Sequence, residues 1–259
     1  MTDSPPKRRR NRGAILLAVL ALVLGLLVVA AVVIDGAARG AIREAVADRV
    51  RQVLELEPDH PIDVEIAGAS VLWQAASGRF ERVDVDAGEV AAGDLRGALA
   101  MTATGIPTDP SQPTERVDAE FRVEEADLAA IAGALSEATI EDVALEEGEV
   151  RFRSAIDLFG VPLEFGVGLV PGVIDGALAF TPTTLTLGDE QLELPEFLAQ
   201  FGELGAGLVS PQRLCVAEYL PRDLVLEEVV VEDAALVIGL GADEAVLDGE
   251  GFTQRGSCP

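Results

Sequence analysis

Residues 14–34, AILLAVLALVLGLLVVAAVVI, run for 21 positions without one charged or polar side chain. At about 1.5 Å per residue they make a helix of roughly 31 Å, enough to cross the hydrocarbon core of a bilayer. Just before them stand Lys7, Arg8, Arg9, Arg10 and Arg12, opposed only by Asp3. Such a basic flank holds the N-terminus in the cytoplasm and sends the rest of the chain across. The run therefore reads as a retained signal anchor in the cell membrane. Residues 1–13 are then a basic cytoplasmic tail, and residues 35–259 a single-pass protein's extracytoplasmic domain. A cleaved signal peptide competes with this reading, with small residues near Ala30 and Ala31 or Ala37 and Ala38 as its cleavage site. Its apolar region is usually only about 7–15 residues long, however. A buried helix of a soluble protein is the third alternative.

Partition at residue 34 also explains a composition that otherwise looks contradictory. The chain is 49% hydrophobic yet carries 45 Asp+Glu against 19 Lys+Arg, a net charge of −26. Five of the bases and one of the acids lie in the tail, so residues 35–259 hold 14 bases against 44 acids, a net of −30. A domain this acidic is not a nucleic-acid binder, because phosphate binding needs clustered Lys and Arg. Its apolar content excludes wholesale disorder. One His and two Cys remove most metal and thiol chemistry. In an exported domain, Cys215 and Cys258 read as a disulfide, which would constrain the unfolded chain by about 4 kcal/mol in the entropic model. Two unpaired buried thiols are the alternative.

Beyond the anchor, residues 36–56 read as an amphipathic helix with Ile42, Val46, Val50 and Val53 on one face, ended by Pro58 and Pro61. Period-2 alternation then takes over. Ile62, Val64 and Ile66 alternate with Asp63 and Glu65, and Val83, Val85 and Ala87 with Asp84 and Asp86. The same pattern recurs at Val117, Ala119, Phe121 and Val123, at Val150 and Phe152, and along Val161 to Leu169. Ile174, Leu178 and Phe180, after Gly172, read as a return strand, and two strands near 223–231 and 234–240 close the chain. Strands with one wet and one apolar face are the habit of antiparallel sheets. Helical spacing interrupts at Val71 to Ala76, at Leu128, Ile131 and Leu135, and at Phe197, Phe201 and Leu204. Gly105 to Pro113 reads as a linker or mobile loop. The expected class is α+β, dominated by long antiparallel strands.

The search for catalytic chemistry returns little: no nucleophile elbow, zinc-protease helix, phosphate loop or CxxC pair is present. His60 sits in a Pro-flanked turn and reads as solvated. Asp84-Val85-Asp86 spells a DxD motif, but on one face of an alternating strand that spacing arises by chance. The acidic pairs lack the Gly-centred loop of a calcium site. No catalytic residue, metal or cofactor is expected.

Short motifs carry more. Ser77-Gly78-Arg79-Phe80 leads into Val83-Asp84-Val85, followed by Asp94-Leu95-Arg96-Gly97. Phe121-Arg122-Val123 follows, with Glu125-Ala126-Asp127-Leu128, and then LCVAEYLP at 214–221 and a second Cys near the end. In these the chain resembles the LmeA-type family of bacterial cell-envelope phospholipid-binding proteins. The resemblance implies a tubular lipid-binding fold, with long, strongly twisted antiparallel strands wrapped on a long helix. It also implies non-catalytic binding of phospholipid or other acyl chains in an apolar groove, in support of envelope lipid or lipoglycan maintenance. Phe121, Phe152, Phe165 and Phe180 are the candidate groove residues. Val71, Leu72 and Trp73 are candidates for the groove mouth or a bilayer contact, since Trp favours interfaces. The alternatives are an envelope scaffold with a filled core and, behind it, a glycolipid-acting enzyme using Asp84 and Asp86.

Overall fold

The computed structural model describes residues 12–92, 95–129, 140–158, 161–188, 190–193, 212–247 and 249–257. One helix, α1 (Arg12–Val53), takes in both the apolar run and the amphipathic stretch, as a rod of 42 residues and about 63 Å. Between the two stretches only Gly36 and Gly40 weaken it, at about 1 kcal/mol each, and no proline intervenes before Pro58. Its two halves behave differently. Val29, Val32, Val33 and Ile34 are 58–66% exposed, whereas Ala38, Ile42, Val46, Ala47 and Val50 pack on the domain. The expected face included Val53, which is 64% exposed. The buried stripe instead passes through Ala47, Val50 and Leu54, at 3–4 spacing. Among the described residues no helix is long and apolar enough to cross a membrane. Most side chains of 14–28 lie outside the described residues.

Among the described residues every strand pairs antiparallel, in two sheets. The first takes β1 (Asp63–Ile66), β2 (Arg79–Ala92), β3 (Leu95–Pro107) and β4 (Arg116–Glu124) in sequence. It then adds β12 (Ala235–Asp243) and β11 (Val225–Glu232), in the order β1-β2-β3-β4-β12-β11. The second runs β5 (Ile140–Glu146), β6 (Glu149–Leu158), β7 (Val161–Ile174), β8 (Ala177–Leu187) and β10 (Gln212–Leu214), with β9 (Glu190–Glu193) also on β8. Because β4 pairs directly with β12, Val123 opposite Leu236, the whole second sheet is an excursion between two neighbours of the first. The chain is thus α+β, a long N-terminal helix with two antiparallel sheets.

Alternation places the core as it should. In β1 Val64 and Ile66 are buried between exposed Asp63 and Glu65, and in β4 Val117, Ala119, Phe121 and Val123 point inward. Three hairpins turn on two residues with left-handed backbone: Glu147-Gly148, Asp175-Gly176 and Asp233-Ala234. That conformation matches the twist of the flanking strands. The β7–β8 return is therefore made at Asp175-Gly176, with Ile174 paired to Ala177, and not at Gly172. The expected linker from Gly105 is also shorter. β3 continues to Pro107, and buried Thr114 is held by donating its Oγ1 and backbone N–H to Ala245 O, at 3.0 and 2.9 Å.

Of the expected helices, α2 (Val71–Ser77) forms, capped by Ser70, whose Oγ accepts from Trp73 N. Residues 125–129 are helical and bring Leu128 against the core. Ile131, Leu135, Phe197, Phe201 and Leu204 lie outside the described residues.

Candidate functional site

The two sheets share one apolar interior. Phe121, Val123, Leu226, Val229 and Leu236 enter it from the first, and Val143, Leu145 and Val150 from the second. Val50, Leu54 and Leu56 close it from the end of α1. The sheets meet where β11, an edge strand of the first, lies against β7 of the second. Of the sequence candidates, Phe121, Phe152 and Phe180 converge on this interior. Phe165 is half-buried on β7, outside the cluster. Val71 is fully buried in a second cluster with Ala47, Val64, Ile66 and Val85, while Leu72 and Trp73 are exposed on α2.

Val123 and Val150 are fully buried in this interior. It opens at the seam between the sheets. There a hollow of about 510 Å³ lies between the β7–β8 turn, the strand β10 with the single 3-10 turn after it (Ala217–Tyr219), and the lead into β11. Ile174, Val216, Leu220, Leu224 and Leu226 give it apolar walls, and Val216 and Leu226 belong also to the core. Its size falls in the range of about 300–1,000 Å³ usual for small-ligand sites.

Two guanidiniums stand at its rim. Arg213 Nη1 donates to Asp175 Oδ2 at 2.9 Å, and Arg222 Nη1 to Gln254 Oε1 at 3.4 Å. Both arginines are more than half exposed, so these pairs contribute little and can exchange partners. The C-terminal segment forms one wall: Gly256 N donates to Leu220 O at 3.0 Å, and Pro221 bridges Arg255. Cys215 lines the hollow and is not a free thiol; Cys258 lies outside the described residues. The two arginines bracket the LCVAEYLP segment, and sequence reasoning passed over them. In a domain with so few bases, two of them flanking a stretch whose only charge is Glu218 were a readable signal.

Two smaller hollows, of about 310 and 250 Å³, lie over the strands. The first mixes Met101, Ala119 and Leu240 with Asp118, Glu120, Glu227 and Glu228, and the second mixes Phe152 and Val167 with Glu146, Arg151 and Arg153, so both carry several charged groups among their apolar ones. The polar candidates have structural roles. His60 is half-buried, its Nε2 2.7 Å from Ala87 O, with Arg51 Nε donating to its carbonyl. It ties the Pro-flanked turn to β2 rather than standing in solvent. Burial pushes the Asp84 carboxyl up, but bonds from Arg82 and Thr102 outweigh it and leave it below the usual carboxylate range. Asp86 Oδ1 accepts from Gly88 N and supports the bulge in β2. Among the described residues no group of three His, Cys, Asp or Glu side chains is placed to hold a metal.

No curated protein and no solved structure matches the chain. The profile of LmeA-like phospholipid-binding proteins does, over residues 33–240. That span starts at the exit from the apolar run and takes in the second sheet, all of the first but the end of β12, the shared interior and most of the seam hollow. With the match covering that much of the fold, the chain belongs to the LmeA-like phospholipid-binding family.

Proposed function

We propose that this protein is a non-catalytic phospholipid-binding protein, anchored in the cell membrane by residues 14–34 and holding its acidic domain outside the cytoplasm. It serves the upkeep of envelope lipid or lipoglycan. The seam hollow carries this reading: an apolar pocket rimmed by two arginines, in a chain of net charge −26. An acyl chain lies along Ile174, Leu224 and Leu226, driven by apolar burial at about 25 cal/mol per Å². The lipid phosphate replaces Asp175 and Gln254 as partner of Arg213 and Arg222, since charge-assisted bonds to phosphate are among the stronger ones. Two sheets meeting around an apolar interior, closed by the last turns of α1, are the local form of a tubular lipid-binding fold. A Cys215–Cys258 disulfide keeps the C-terminal wall of the hollow in place.

The exposure of Val29 to Ile34 supports the anchor, because those side chains find no partner among the described residues of the domain. The full burial of Val123 and Val150 at the centre of the interior favours a second reading, an assembly scaffold that binds no lipid. One experiment separates them. The full chain, purified in detergent, is examined by native mass spectrometry for co-purifying lipid and by uptake of a fluorescent anionic phospholipid. Retained phospholipid, and uptake weakened about tenfold or more by Arg213→Gln with Arg222→Gln, is the expected result. No retained lipid and no uptake would leave the scaffold. Uptake indifferent to both substitutions would remove the headgroup assignment alone.

A further inference from the structure

Residues 66–78, IAGASVLWQAASG, form a 13-residue stretch without a charge in a chain where 25% of residues are charged. This stretch folds back onto α1 at the first turn after the apolar run. Asp35 Oδ1 accepts from Ser70 Oγ at 2.7 Å and from Leu72 N at 3.0 Å. Those two bonds, Leu72 N first, hold the Asp35 carboxyl below the usual carboxylate range. One turn on, Arg39 donates Nη2 to Gly68 O at 2.9 Å and Nη1 to Ile66 O. The segment is thus stitched to α1 immediately beyond Ile34.

From there α2 presents two faces. Val71 and Gln74 are buried, with Gln74 Nε2 donating to Ala67 O at 2.8 Å and its Oε1 accepting from Glu81 N at 2.7 Å. The other face carries Leu72, 43% exposed, and Trp73, 75% exposed. Neither lines the seam hollow. That hollow borders β11 at one edge of the first sheet, while α2 packs on β2 near the opposite edge. Trp73 is therefore not its mouth.

We propose that Leu72 and Trp73 form a foot that sits in the interfacial layer of the bilayer crossed by residues 14–34, fixing the height and tilt of the domain. The proposal rests on the anchor reading above. Continuity argues for this occupant: the exposed pair is hydrogen-bonded to the residue at which the apolar run ends, so an anchor that spans the membrane brings α2 to its surface. Trp and Leu have the chemistry of that layer, an apolar body with a polar edge for Trp. The absence of charge across 66–78 lets this face of so acidic a domain approach lipid headgroups with less repulsion.

Trp73 is the only tryptophan, so its own fluorescence reads the answer. The full chain is reconstituted into phosphatidylcholine vesicles containing lipids brominated at shallow or deep acyl positions, and floated on a density gradient. Expected are co-flotation, strongest quenching by the shallow bromines, and acrylamide quenching several-fold below that of free tryptophan amide. Co-flotation with Trp73 open to acrylamide and untouched by bromine would overturn the foot while leaving the anchor. Co-flotation with Trp73 shielded from both quenchers would mean that a second copy covers the face, and would also overturn it. Failure to float would remove the anchor, and the foot with it.

Discussion

Glu149 is the residue whose environment a reading of the sequence could least anticipate. It opens β6 with only 9% of its surface exposed. Its carboxylate accepts from Thr183 Oγ1 at 2.6 Å, Thr184 Oγ1 at 3.3 Å and Arg151 Nε at 3.2 Å. Buried carboxylates persist only when their oxygens are satisfied in this way. Gly168, across the strand on β7, leaves room for the network, since a methyl there would collide with Thr184 Oγ1 and the Glu149 carboxylate. Glu149→Ala strips the buried Thr184 hydroxyl of its acceptor, while Thr183 keeps Gly168 O and Arg151 keeps Glu146 and Glu147. Urea denaturation should show a loss of about 2 kcal/mol. An unchanged midpoint would mean that water replaces the carboxylate. In the sequence this glutamate follows Glu146 and Glu147 in an acidic run and reads as one more solvated charge.

At the scale of elements, the strands were legible because alternation records which face is wet. Val64 and Ile66, or Val117 through Val123, point where their spacing says. Pairing between distant strands left no such trace. Arg116 shows what holds them: Nε donates to Asp118 at 2.7 Å, Nη1 to Asp243 at 3.0 Å and Nη2 to Glu227 at 2.6 Å, joining β4, β12 and β11. The three carboxylates, Glu227 foremost, raise the guanidinium further above its ordinary value. Arg116→Met keeps the stem and leaves three acids facing one another. The melting temperature should fall, most at low ionic strength and less as salt is added. Arg116→Lys should recover only part of the loss, because an ammonium lacks the planar fork that serves three acceptors at once. Full recovery would show that only the charge matters.

Across the whole molecule, the acidic surface governs how stability responds to salt. Arginines pair with some of the carboxylates, Arg116, Arg151 and Arg153 among them, but 14 bases cannot serve the 44 acids of residues 35–259. Self-repulsion of this kind acts over the Debye length, about 10 Å in 0.1 M salt. Added sodium chloride should therefore raise the thermal midpoint of the full chain in neutral detergent. A midpoint that stays level or falls would mean that the surface pairs outweigh the repulsion.

The sequence by itself determined the apolar run with its basic flank, the partition of charge, the wet and dry faces of the strands, and the family motifs. Each of these is written in local spacing or composition, where periods of 2 and 3.6 are set by backbone geometry. Only the tertiary structure decided that the apolar run and the first domain helix are one rod. Pairing of β4 with β12 around an inserted sheet was likewise invisible, because loop closure over a hundred residues leaves no local signature. The same holds for the separation of Trp73 from the Phe121, Phe152 and Phe180 cluster, and for the meeting of Arg213 and Arg222 at one seam. Contacts between residues far apart in the chain are fixed by how faces stack, and that is settled only once the sheets have packed.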